Sequence, residues 1–407
     1  MSPMRLPAIA VVTVVAAVLG GGAALGIGKG TGWLDEGTQT VVVKAQPSQA
    51  ASLPASATSK VLPLQGSSFD PQRIFAARSP GVVTIFAYFG DPRSEATERA
   101  QGSGFVISPK GYILTNSHVI TNAGSSGPVR AADRVYVEFS DADRVAAKIV
   151  GWDIYDDVGL IKVDPSEHAI TPVPLGNSAA AVVGEPVAAI GSPLGNENSL
   201  AVGVVSAVHR SIESLTAGDY RLTDAVQTDA PITHGNSGGP LFDARGRVIG
   251  INAQIRSASS TGNDSGVGFA VPIDSAKRSV AQLIAHGRVQ YAYVGVKTQD
   301  VTPAVAQALG LKAQHGAMIV DVVQDPPSPA SRAGLRAGSG DTNVLGVAVP
   351  HGADVILAIN GHPVRDADDV VRIVSNNLGP GDVATFEILR DGERRTVAVR
   401  LGARSQG

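Results

Sequence analysis

The 407-residue sequence predicts a mainly β protein that ends in a smaller domain of mixed strands and helices. Three observations carry this prediction. Between residues 75 and 271 the apolar residues fall in short runs, VVTIFAYF, GFVI, YIL, RVYVEF, GLIKV, PVAAIG and VIGINAQI, punctuated by turn residues. That spacing suits a barrel or sandwich of short strands better than alternating strand and helix. A single helical stripe, Ala276, Val280, Leu283 and Ile284, closes this unit, with Asp274 near its start and Gly287 past its end. After Tyr291 the texture changes to YVGV, AMIVDVV, DVILAI, ATFEIL and RTVAVRL, with helical segments between them. A chain of this length exceeds what one core ordinarily supports, so two folded domains are expected, over residues 69–287 and 291–403.

The elements follow in order. Residues 6–27 are 22 positions without a charge, behind Arg5; as a helix they reach about 33 Å, enough for a bilayer core of about 30 Å. Residues 1–28 therefore read as a signal-anchor, or as a signal peptide whose shorter apolar core ends before Gly20, Gly21 and Gly22, with Gly22 and Ala24 small enough for a cleavage site. Either reading exports the rest of the chain. It stays tethered to the cytoplasmic membrane in the first case, and is periplasmic or secreted in the second. Residues 29–68 lack periodicity and collect Ser and Ala around Pro47, Pro54 and Pro63, the composition of a flexible linker. Such a linker has a root-mean-square reach on the order of 35 Å. In the carboxyl-terminal domain Thr302 precedes a short helix ending near Gly310, and Asp366 caps a helix carrying Val370, Val371 and Val374. Asp391-Gly392 is a hairpin turn.

Composition removes several functions. With 36 acidic against 33 basic side chains the net charge is only -3, which argues against a nucleic-acid partner, since such a partner needs clustered Lys and Arg. The absence of cysteine excludes thiol nucleophiles, CxxC redox centres, thiolate zinc and disulfides. No histidine forms an HExxH pair or a close cluster with carboxylates, so no metal is expected.

The chemistry is carried by three segments. GNSGGPL places Ser237 among glycines, where backbone N–H groups can turn toward one point without a Cβ obstructing the approach. TNSHVI places His118 just after a strand, and a serine hydroxyl, a weak nucleophile, needs an imidazole of near-neutral pKa to take its proton. WDIYDDVGLIKV offers Asp157, with Asp153 and Asp156 as rivals, to orient that imidazole. The order His, Asp, Ser is that of two-barrel chymotrypsin-type enzymes; subtilisin-type and α/β-hydrolase enzymes use other orders.

GSGFVI, TNSHVI, DDVGLIKV, GNSGGPL and GVGFAVP together resemble the trypsin-like serine proteases of the HtrA/Deg family, a likeness spanning roughly residues 69 to 403. The resemblance implies a chymotrypsin-like double β-barrel protease domain followed by a small α+β PDZ domain. It implies His118 as general base and acid, Asp157 as orienting carboxylate, Ser237 as nucleophile, and the N–H groups of Gly235 and Ser237 as the oxyanion hole. Ile232, Val267, Gly268, Phe269 and Ala270 would surround the substrate side chain, favouring small aliphatic residues. Tyr293, Val294, Gly295 and Val296 resemble the carboxylate-binding loop of PDZ domains, which accept carboxyl-terminal peptides as an added strand. The implied activity is endoproteolysis of misfolded or exposed polypeptides by an exported enzyme that needs no cofactor. A non-catalytic, chaperone-like peptide-binding scaffold is the alternative.

Three departures stand out. Thr233 and His234 occupy positions where the family often has Asn and Pro. The segment between residues 89 and 101 is short, which points to a homotrimer rather than a larger cage. Residues 338–353 form an insertion whose 344–349 stretch suits an added hairpin.

Overall fold

The structure is a computed structural model that describes residues 69–405, except 91–97, 126, 193–198, 215, 217–220, 234 and 254–266. The expected membrane segment, the linker and His234 lie outside the described residues. Among the described residues no helix is long and apolar enough to cross a membrane.

Helix α1 (Pro71–Arg78) opens the described chain, capped by the Asp70 carboxylate, which accepts from Arg73 N at 3.0 Å. Strands β1 (Val82–Phe89), β2 (Glu98–Val106), β3 (Tyr112–Thr115), β4 (Arg134–Glu138), β5 (Arg144–Asp153) and β6 (Val158–Val163) form a closed barrel in the order β1-β2-β3-β6-β5-β4. The short helix α2 (Ser117–Ile120) leaves the end of β3. A second closed barrel, ordered β10-β11-β12-β9-β8-β7, is built from β7 (Pro186–Gly191), β8 (Ser199–Glu213), β9 (Arg221–Thr228), β10 (Pro240–Phe242), β11 (Val248–Ala253) and β12 (Gly268–Pro272). Alternation sorts the side chains. Val83, Ile85, Val135, Val137 and Ile161 fill the first barrel, while Val187, Val205, Val226, Leu241 and Ala270 fill the second. The opposite faces of several of these strands, with Phe105, Leu160, Ile190 and Phe242, belong to one further buried cluster. Burying each of these valine, leucine, isoleucine and phenylalanine side chains contributes about 1.5–3 kcal/mol.

Helix α3 (Ile273–His286) follows, with Asp274 in its first turn and Gly287 in the left-handed conformation at its end, its N–H returning to Leu283 O. Its buried positions are Ile273, Ser275, Ala276, Ser279 and Leu283, whereas Ile284 is 48% exposed. The sequence places Ile284 on the apolar stripe. The packed face is rotated away from it and includes Ser279, which donates to the buried Asp153 carboxylate at 2.7 Å.

The carboxyl-terminal domain carries β13 (Gln290–Tyr293), β14 (Val296–Asp300), α4 (Pro303–Leu309), β15 (Ala317–Val322), α5 (Pro329–Arg332), β16 (Ser339–Val344), β17 (Val347–His351), β18 (Val355–Ile359), β19 (His362–Pro363), α6 (Ala367–Asn377), β20 (Val383–Arg390), β21 (Glu393–Arg400) and β22 (Gly402–Ser405). Its sheet runs β14-β15-β18-β20-β21, with β13 paired to β22 apart from it. YVGV is thus not one strand but the break between two. Gly295 has φ 83°, and a Cβ there would lie 2.2 Å from Ser328 Cβ. Only glycine allows both the turn and the close approach. The insertion forms the β16-β17 hairpin, and Asp391-Gly392 joins β20 to β21 with both residues at positive φ. Asp366 Oδ1 caps α6, accepting from Asp369 N at 2.8 Å, and the helix buries Val370, Ile373 and Val374.

Candidate active site

Strand β3 ends at Thr115, and Asn116, Ser117 and His118 turn the chain into α2. Across from them, Asp157 sits in the turn between β5 and β6 at φ 50°. A non-glycine residue rarely adopts that conformation and holds it only where its surroundings fix it. Here they do. His118 Nδ1 lies 2.8 Å from Asp157 Oδ2, while Asp157 Oδ1 accepts from His118 N at 3.1 Å and from Ser117 Oγ at 2.8 Å. Asn116 Nδ2 donates to the Asp157 carbonyl at 2.9 Å. Three successive residues therefore grip one aspartate.

The electrostatics follow from this contact. The carboxylate is 8% exposed and the imidazole 24%. Burial disfavours a charged imidazole, yet the charge of Asp157 and its hydrogen bond outweigh that and hold the His118 pKa above its ordinary value. With Nδ1 donating to Asp157, Nε2 is left as the acceptor of the ring.

Of the three neighbouring acids, Asp157 alone meets the imidazole. Asp153 accepts from Ser279 Oγ at 2.7 Å, Tyr291 Oη at 2.5 Å and the N–H of Tyr155 at 3.0 Å. Asp156 lines a cavity of about 320 Å³ together with Arg278, Gln282, Tyr291 and Asn376. Burial raises the Asp153 pKa. It also raises that of Asp156, to about 7, with the nearby Asp153 charge adding to the effect and Arg278 opposing it.

Ser237 lies in the turn before β10 and is 6% exposed. Its carbonyl accepts from Ser103 N at 2.8 Å, Gly238 N donates to Asn252 O at 2.9 Å, and Asn252 N donates to Gly239 O at 2.8 Å. Gly238, at φ 86°, has no room for a Cβ, which would fall 2.1 Å from Ser103 O, 2.3 Å from Thr115 Oγ1 and 3.2 Å from Asn116 N. The serine turn from the second barrel is thereby seated against the segment that leads to His118. Among the expected pocket residues, Gly268 and Ile232 are in close contact, since a Cβ at Gly268 would fall 2.5 Å from Ile232 Cγ1. Val267 is 52% exposed, Ala270 is buried in the second barrel, and Phe269 packs partly buried against the large cluster. Tyr293 and Val296 flank the strand break; Val294 O accepts from Ala330 N at 2.9 Å and Gly295 O from Val323 N at 3.0 Å. Ser103 and Ser117 hold this site together, and nothing in the sequence separates them from ordinary serines. Among the described residues no three His, Asp or Glu side chains group as a metal site.

Two closed six-stranded barrels with a histidine–aspartate pair at the rim of the first and a glycine-flanked serine turn entering the second define a trypsin-like peptidase fold. Residues 102–251 match the trypsin-like peptidase domain family and residues 292–401 the PDZ domain family. The chain is 39% identical over 333 residues to a probable periplasmic serine endoprotease, DegP-like, of Pseudomonas savastanoi pv. phaseolicola, a match covering 81% of this chain and 62% of that protein. It is 38% identical over 314 residues to a protein of the same description from Pseudomonas fluorescens, covering 77% and 58%. The chain thus spans less than two thirds of the length of these relatives. Among solved structures it is similar to the HtrA-type protease AlgW with tripeptide, at TM-score 0.66 and 30% identity over 82% of this chain and 97% of that one. A serine endoprotease from Yersinia pestis matches at TM-score 0.58 and 26% identity, covering 82% and 98%. The chain belongs to the HtrA/DegP family of trypsin-like serine proteases with a carboxyl-terminal PDZ domain.

Proposed function

We propose that the chain is an exported serine endopeptidase that hydrolyses peptide bonds in misfolded or exposed polypeptides. The observation that carries this reading is the Asp157 carboxylate seated 2.8 Å from His118 Nδ1, which leaves Nε2 as the ring's proton acceptor, while the Ser237 turn packs against the Thr115–Asn116 segment that leads to that histidine. Ser237 Oγ attacks the substrate carbonyl as its proton passes to His118 Nε2, and Asp157 stabilises the imidazolium. The N–H groups of Gly235 and Ser237 receive the negative oxygen of the tetrahedral intermediate, a contribution of about 2.7–4 kcal/mol per donor in other enzymes. His118 then protonates the leaving amine, and water hydrolyses the acyl-enzyme by the same steps in reverse.

Ile232, Val267, Gly268, Phe269 and Ala270 shape the pocket for the residue before the scissile bond. The Ile232–Gly268 contact narrows it, in keeping with small aliphatic side chains. The PDZ domain binds carboxyl-terminal peptides beside Tyr293, Val294, Gly295 and Val296. The relatives described as periplasmic support an extracytoplasmic location, with residues 6–27 as membrane tether or removed signal and a trimer as the assembly.

The test compares cleavage of a denatured protein by the native chain and Ser237→Ala, with labelling by a serine-reactive phosphonate. Cleavage and labelling confined to the native chain are the expected result. Equal cleavage by both, or a folded native chain that neither cuts nor labels, would leave the scaffold reading in its place.

A further inference from the structure

Ser103 lies on β2, is fully buried, and reaches the serine turn through two hydrogen bonds while two more tie it to Ser192 and Thr115. Its N–H donates to Ser237 O at 2.8 Å. Its hydroxyl donates to Gly235 O at 2.5 Å, 132 residues away, and accepts from Ser192 N at 2.8 Å. Its carbonyl accepts from Thr115 Oγ1 at 2.7 Å.

These bonds fall on particular peptide units. The unit joining Gly235 to Asn236 lies between the two units that carry the N–H groups of Gly235 and Ser237. Its carbonyl is held by Ser103 Oγ and its N–H by Thr233 O at 3.0 Å, so it is fixed at both ends. The next carbonyl, Asn236 O, accepts from Gly239 N at 3.0 Å. Because N–H and C=O oppose each other across a trans peptide, that bond aims the Ser237 N–H the other way. Gly235 has φ 98° and no side chain to restrict its rotation. Without the Ser103 hydroxyl, one end of the turn loses its fixed point just where a glycine permits rotation. The Thr115 bond ties the same serine to the segment that carries His118.

We infer that Ser103 is a positioning residue that sets the oxyanion turn, its side chain fixing the Gly235–Asn236 peptide so that the flanking N–H groups converge on the substrate oxygen. This rests on the peptidase reading above. The hydroxyl is buried beneath the turn and acts on the reaction through the geometry of the two donors. The loss should therefore fall on the transition state and spare ground-state binding, as displacements of about 1 Å cost on the order of 10²-fold in other enzymes.

The experiment uses the full chain and three proteins: native, Ser103→Ala and Ser237→Ala. It reads kcat and KM on a denatured, fluorescently labelled protein, and the inhibition constant of a peptidyl boronate bearing a valine side chain, whose tetrahedral adduct fills the oxyanion site. For Ser103→Ala we expect kcat to fall about 10- to 100-fold, KM to stay within about twofold, and boronate affinity to fall by the same factor as kcat. Unchanged turnover overturns the inference, as does a loss of kcat with boronate affinity unchanged. If Ser237→Ala cleaves like the native chain, the peptidase reading fails and takes this one with it; if Ser237→Ala is inactive and Ser103→Ala is not impaired, only this one fails. Should Ser103→Ala not fold, Thr115→Val, nearly isosteric, removes the anchor on the Ser103 carbonyl and is expected to lower kcat and boronate affinity together by a smaller factor. Native values for both would equally overturn the inference.

Discussion

Ser117 Oγ donates to Asp157 Oδ1 at 2.8 Å across 40 residues of sequence, so the neighbour of the imidazole also holds the carboxylate that orients it. A hydrogen bond to a charged group contributes about 1.5–3 kcal/mol. Ser117→Ala leaves the His118 N–H on that oxygen, and we expect kcat/KM to fall roughly tenfold, with the acid limb of the pH profile displaced. Ser117→Thr, which keeps a hydroxyl, should recover part of the rate. Steady-state kinetics across pH on the two variants checks this; equal profiles for Ala and Thr would contradict it.

Asp157→Asn should be far more severe. An amide cannot stabilise the imidazolium, and the equivalent loss in a chymotrypsin-type enzyme lowers kcat by about 10⁴. In the native chain His118 has its pKa raised above the ordinary value by the Asp157 charge acting against burial. The neutral base is thus lost as pH falls through a value above that of free imidazole. With Asn, burial acts unopposed and the midpoint moves down. NMR titration of the His118 ring in Ser237→Ala and in the Ser237→Ala, Asp157→Asn double variant measures the displacement; a midpoint that rises or stays put would contradict the account.

Asp156 gives a prediction about stability. Its carboxyl faces Asp153, Asp224, Arg278 and Tyr291, and burial followed by the Asp153 charge pushes its pKa up to about 7. The unfolded value is that of an ordinary aspartate, near 3.9. Between those two values the folded chain binds the extra proton, so stability from this group declines as pH rises from about 4 to 7, and the cost is fully present above 7. Asp156→Asn should therefore be more stable than the native chain at pH 8, by a few kcal/mol at most, and the advantage should shrink toward pH 5. Urea denaturation at both values checks the sign.

Asp354, completely buried, receives Arg390 Nε and Nη2 at 2.6 Å each and Arg336 N at 2.8 Å. Removing the arginine strands a buried charge, which typically costs about 3–5 kcal/mol. Arg390→Met is expected to lower the melting temperature of the PDZ region and release amide protection in β18 and β20, which the pair joins. Asp354→Asn, which removes the charge as well, should be milder when combined with Arg390→Met than Arg390→Met alone. Hydrogen exchange resolved by strand measures both.

Much of the architecture is local and was therefore legible. The strands over VVTIFAYF, YIL and PVAAIG, the caps at Asp366 and Thr302, the Asp391-Gly392 turn and the left-handed Gly287 all rest on periodicity or on conformations only certain residues adopt. Less legible were β8 and β9, whose pairing shifts register three times and whose His209 and Asp224 have positive φ, interrupting simple alternation. YVGV looked continuous because a glycine inside an apolar run gives no sign of the direction in which the chain leaves it.

By itself the sequence supplied the order and kind of the groups proposed to react, because serine-based acyl transfer calls for a histidine, an acid and a serine among glycines and leaves few other residue types possible. Only the tertiary structure decided which of Asp153, Asp156 and Asp157 reaches His118, and which of many serines, Ser103 and Ser117, hold the site. Adjacent residues in a turn point in different directions; the bond spanning 40 residues exists only once the first barrel has closed, and the one spanning 132 only once the two barrels have packed together.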